Sequence, residues 1–128
     1  MPKGRAVTIE TRKPFGPTAG SFTSSGAMSE SGTFVNSSLI LEGVGAPDVV
    51  TVHVTQRFEG ALGTFTLRAT ITEAATADPQ VLADDGTWLI IAGTGAYESL
   101  WGRGRVSGTA DGDRDLINRT YRGTVRRG

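Results

Sequence analysis

Gly93-Thr94-Gly95-Ala96-Tyr97-Glu98-Ser99-Leu100-Trp101-Gly102-Arg103-Gly104 is the stretch on which the fold turns. A strand ends at the first glycine pair. A short helical turn over Ala96 to Trp101 carries an aromatic and a leucine, and the second glycine pair opens the next strand. On either side, strand-like runs recur between turn signals. Upstream, Ala6 to Lys13 alternates, with Val7 and Ile9 on one face and Thr8 and Glu10 on the other. Lys13 to Pro17 reads as a loop, because two prolines cannot stay in a ladder. Gly20 to Glu30 and Thr33 to Glu42 read as strands joined near Ser31-Gly32, and Gly43 to Asp48 as a loop. Val49 to Gly60 and Gly63 to Glu73 form the clearest hairpin. The polar run Ala74 to Asp85 reads as a surface loop in which Asp84-Asp85 solvates a turn. Thr87 to Ala92, Arg103 to Ala110 and Leu116 to Val125 complete about eight strands. The expectation is an all-β, single-domain, antiparallel closed barrel over residues 1–128, because closure removes exposed edges.

Composition bounds the function. At 128 residues the chain can build one core without staples. It has no cysteine, and its thirteen basic and thirteen acidic side chains cancel. No long-range field favours nucleic acid or an anionic membrane. Met1 to Arg5 is followed by no apolar run, so neither a signal peptide nor a transmembrane helix is expected, and the expected compartment is the cytoplasm. The sequons at Asn36 and Asn118 therefore carry little weight. One histidine and no cysteine argue against a zinc site. Asp111-x-Asp113-x-Asp115 imitates half a calcium loop, but its sixth and twelfth positions are Leu116 and Arg122, so a hairpin turn is expected. Gly93-x-Gly95 lacks the third glycine and long helix of a dinucleotide site. No metal or cofactor is expected. His53 reads as a solvated strand residue. Arg103, Arg105, Arg122 and Arg126 beside Trp101 are a minority nucleic-acid reading.

Hairpin parity assigns the interior. With Ala61-Leu62 as the turn, Phe58 faces Phe65, Gln56 faces Leu67 and Val54 faces Ala69. In the last hairpin Gly104, Val106, Gly108, Ile117, Arg119, Tyr121 and Val125 point inward. Gln56, Arg119 and Tyr121 are out of place in an apolar lumen. They either satisfy one another in a structural network or line a ligand cavity. The candidate ligand-binding set is Gln56, Phe58, Phe65, Trp88, Arg119 and Tyr121, and no residue is assigned as catalytic. Arg119 would hold a carboxylate or enolate, Tyr121 and Gln56 would donate hydrogen bonds, and the three aromatics would form the wall.

The segment Gly93 to Tyr97, with Leu100 and Gly102, resembles the Gly-Thr-Gly-aromatic segment of allene oxide cyclase-like and dirigent-like barrels. Gly63-Thr64-Phe65-Thr66-Leu67, Gly86-Thr87-Trp88 and Arg119 to Val125 extend the resemblance to small uncharacterised bacterial members of that superfamily. It implies a barrel that handles a small apolar molecule, as a cofactor-free isomerase or cyclase. The alternative is a non-catalytic ligand-binding or structural barrel with a filled core. Homo-oligomerisation stays open.

Overall fold

The computed structural model describes residues 4–43 and 49–127. Eight antiparallel strands run in simple up-and-down order and close on themselves: β1 (Arg5–Lys13), β2 (Gly20–Gly26), β3 (Glu30–Glu42), β4 (Val49–Gly60), β5 (Gly63–Ala75), β6 (Val81–Gly93), β7 (Leu100–Asp111) and β8 (Leu116–Arg127). The first and last strands form the seam, from Arg5 opposite Val125 to Lys13 opposite Ile117. The expected barrel is therefore the fold. Among the described residues no helix is long and apolar enough to cross a membrane.

The central hairpin has the register that alternation dictates: Phe58 opposite Phe65, Gln56 opposite Leu67, Val54 opposite Ala69. Inward residues on β4 and β5 are buried and their neighbours are more exposed, because one sheet face meets the core and the other meets water. The boundaries differ elsewhere. β2 stops at Gly26 and β3 starts at Glu30, so the turn lies at Ala27 to Ser29 and not near Ser31-Gly32. Gly26 has a φ of +84°, which ends the strand. The expected polar loop shrinks to 76–80. β6 begins at Val81 and puts Asp84 on the lumen side. The helical turn is a single 3₁₀ turn, Gly95–Tyr97, while Leu100 and Trp101 already belong to β7. The expected loop at Gly43 to Asp48 lies, beyond Gly43, outside the described residues.

The two ends of the lumen differ. At the end holding the 3₁₀ turn, Tyr97 and Leu100 are buried and act as a plug. The Tyr97 hydroxyl donates to the Glu30 carboxylate, whose other oxygen accepts the Leu62 N–H at 2.9 Å. Above the plug the rings of Phe34, Phe58 and Phe65 stack, with centroids 5.0 and 4.7 Å apart, and Phe22 meets Phe58 edge-on at 5.1 Å. These contacts fill the lumen at this end with side chains at ordinary aromatic spacing. The other end carries the ionisable groups.

Candidate functional site

The ionisable end is built from one row of cross-strand neighbours. Thr11 on β1 lies opposite Arg119 on β8, Arg119 opposite Gly108 on β7, Gly108 opposite Asp84 on β6, Asp84 opposite Glu73 on β5, and Glu73 opposite Val50 on β4. Paired residues share a face, so the whole row faces the lumen. Gly108 has no side chain between Arg119 and Asp84. A Cβ there would sit 1.9 Å from the Asn118 carbonyl oxygen. Across that gap Arg119 Nε donates to Asp84 Oδ2 at 2.8 Å, and its terminal nitrogen lies 3.6 Å from Glu73 Oε2. The Asp84 side chain is fully buried and that of Arg119 is 8 % exposed. A guanidinium buried this deeply needs such partners.

Asp84 Oδ1 is buried and, among the described residues, has no hydrogen-bond partner. Burial raises the Glu73 carboxyl to about 7, sharing with Asp84 pushes it the same way, and Arg119 opposes. Lys13, on the same lumen face, is held below its usual range by burial and then by Arg119. Its Nζ donates to the carbonyls of Pro14 at 2.9 Å and of Gly16, which ties the β1–β2 loop over this end. Asp115 Oδ1 accepts the Phe15 N–H at 3.0 Å and pins the same loop.

All six residues of the candidate set face inward and are buried. They divide into neighbouring groups, with the Arg119 guanidinium close enough to Tyr121 to act on its hydroxyl. Tyr121 donates to Gln56 Oε1 at 2.6 Å, and Gln56 Nε2 donates to Asn36 Oδ1 at 3.0 Å. Phe58 and Phe65 belong to the ring stack. Trp88 lies edge-on to Tyr121 at 6.4 Å and donates its indole N–H to the Arg105 carbonyl at 3.0 Å. Arg119 belongs with Asp84 and Glu73, two partners absent from the candidate set. Asp84 does not solvate a turn: its carboxylate is the buried counter-ion of Arg119. An isolated buried arginine expected at Arg119 is itself the signal that a lumen-facing carboxylate must exist.

On β3, beside the strand where this row ends, cover is incomplete among the described residues. β2 pairs with it only over Glu30 to Phe34. Leu39 and Leu41 lie opposite the buried, lumen-facing Val54 and Val52, yet are 53 % and 49 % exposed. An apolar lumen wall at the ionisable end is therefore open. A groove of about 410 Å³ borders the row at Thr11, Gly108 and Arg119 and is otherwise lined by side chains such as Arg12 and Thr120, and one of about 490 Å³ lies elsewhere, beside Leu89 and Arg103.

The remaining motifs resolve as surface features. His53 points outward and pairs with Glu42. Arg126 stacks 3.7 Å over Trp101. Asp111 Oδ1 accepts the N–H groups of Asp113 and Arg114 at 3.0 and 3.3 Å, which makes the half calcium pattern a hairpin turn. Among the described residues no cluster of histidine and carboxylate ligands could hold a metal. Comparisons with protein-family models, with curated proteins and with solved structures gave no match.

Proposed function

We propose that the protein handles a small apolar molecule at the ionisable end of its barrel, as a cofactor-free isomerase. The supporting observations are the buried Glu73–Asp84–Arg119 row and the exposed lumen-face Leu41 and Leu39, which lie opposite Val52 and Val54, the next lumen-facing positions along β4 from Val50. The leucines and Val50 would seat the apolar body. Glu73 would take a proton from a carbon acid as the carboxylate and return it to another atom, a balanced transfer needing no co-reactant. The Arg119 guanidinium would steady the oxyanion formed between those steps. In this reading the ligand would lie beyond the Tyr121–Gln56 pair, with Phe58, Phe65 and Trp88 as a rigid floor instead of a contact wall. The resemblance to cyclase-like barrels supports the reaction class.

One observation favours a second reading, a non-catalytic barrel with a filled core: the ring stack and the hydrogen-bonded Tyr121–Gln56–Asn36 chain need no ligand to be satisfied. Fluorescence of the apolar dye 1-anilinonaphthalene-8-sulfonate separates the two, with native mass spectrometry of the purified protein for a retained small molecule. The first reading expects dye binding by the folded protein that is lost in Leu41→Lys. No dye bound and no retained molecule would establish the second.

A further inference from the structure

The stretch Val35 to Glu42 of β3 is hydrogen-bonded to β4 on one side, and among the described residues no strand lies on its other side. Natural edge strands are guarded by lysine, proline or brevity. This one contains neither residue type, and its seven positions before Glu42 are uncharged. Val35, Leu39, Ile40 and Leu41 are all at least 40 % exposed. A row of free N–H and C=O groups on an apolar strand accepts one kind of cover, another extended strand.

We propose that the cover is β3 of a second copy, paired antiparallel about a two-fold axis at Ile40. Two properties select this occupant and register. A two-fold axis makes the interface isologous, so one edge supplies both halves without a second surface. Pairing about Ile40 also matches faces. Ile40, which lies opposite the outward His53, meets its own copy on the outer face, while Leu39 meets the partner's Leu41 on the lumen face. Ser38 then lies beside the partner's Glu42, so the carboxylate sits against a hydroxyl and not against its like. Pairing about Ser38 would instead oppose Ile40 with Asn36. The paired strands continue one sheet from barrel to barrel, and the partner's leucines extend the apolar wall. The proposal stands on the strand edge and is independent of any reaction at Glu73.

Sedimentation velocity and cysteine cross-linking test it. The natural chain has no cysteine, so an introduced thiol reports one contact only. Antiparallel partners at a two-fold axis have Cα atoms about 4.5–5.5 Å apart, inside the range of a disulfide. Ile40→Cys is therefore expected to form a disulfide-linked dimer under mild oxidation, while Leu89→Cys, exposed on the outer face of β6, is expected to form no disulfide link. The wild-type protein is expected to sediment as a dimer and Ile40→Lys as a monomer with an unchanged circular dichroism spectrum. A monomeric wild type, a dimer that survives Ile40→Lys, or equal cross-linking of both cysteine variants would overturn the proposal. Because Ile40 faces outward, dye binding at the barrel end should survive Ile40→Lys, which keeps failure of the dimer distinct from failure of the ligand site.

Discussion

Arg119→Met removes the guanidinium that holds the Asp84 carboxylate inside the barrel wall. An uncompensated buried charge remains, and unfolding by urea is expected to show a loss of about 3–5 kcal/mol. The double variant Arg119→Met/Asp84→Leu removes both charges and should recover most of that loss. Glu73 gives a separate signature in pH. Its carboxyl titrates at about 7 in the folded protein against an ordinary value of 4.5. Between those values the folded chain keeps a proton that the unfolded chain has released. The contribution of this group to stability is therefore fully present below the window and lost as pH rises through it. Urea midpoints of the wild type are expected to fall between pH 5 and 7.5 by more than those of Glu73→Gln. An equal pH dependence in both proteins would show that Glu73 does not hold the proton. The arginine of this group could be found from its own parity, but Asp84 could not. A carboxylate among polar residues looks solvated until the strand opposite it is known.

At the scale of single elements, the 3₁₀ turn is the part most sensitive to a side chain. Gly95 has a φ of +59°, and a Cβ there would lie 2.6 Å from the Leu62 carbonyl oxygen. Gly95→Val is expected to cost more than about 2 kcal/mol, read as a lowered thermal midpoint, because strain and the displaced Tyr97 plug add. An unchanged midpoint would show the turn to be dispensable. The central hairpin was legible in full because β4 and β5 alternate without interruption, from Val52 to Phe58 and from Phe65 to Ile71. β6 was not, for two physical reasons. Its first half is polar on both faces, with Asp84 inside and Asp85 outside. Its second half carries a bulge, so that Leu67 lies opposite Ile90 and Thr66 opposite Ala92, and the period of two slips at Ile91. The β2–β3 turn was misplaced because serine, threonine and glycine fill both strands and only Phe22 and Phe34 mark a face. The open stretch of β3 could not be read at all: its exposure follows from where β2 stops, a property of the neighbouring strand.

For the whole molecule, a sheet that is closed by its first and last strands gains its stability as one unit. A chain lacking Leu116–Arg127 loses Arg119, Tyr121 and Val125 from the interior and bares the edges of β1 and β7 together. It is expected to show no cooperative thermal transition by circular dichroism, where the 128-residue chain is expected to show one. A sharp transition in the shortened chain would mean that seven strands suffice. The seam also sets a timetable for synthesis. Residues leave the ribosome in order, so β1, which can pair early with β2, waits for its second partner about a hundred residues behind it. Hairpins such as β4–β5 can form on the way out, but the ring cannot shut until β8 is clear of the exit channel. During that interval Val7 and Ile9 are apolar groups on a strand whose β8-facing edge is bare. Stalled chains ending before β8 has emerged should be cut readily by protease and held by chaperones, and lengthening the tether until β8 is free should end both at the same chain length.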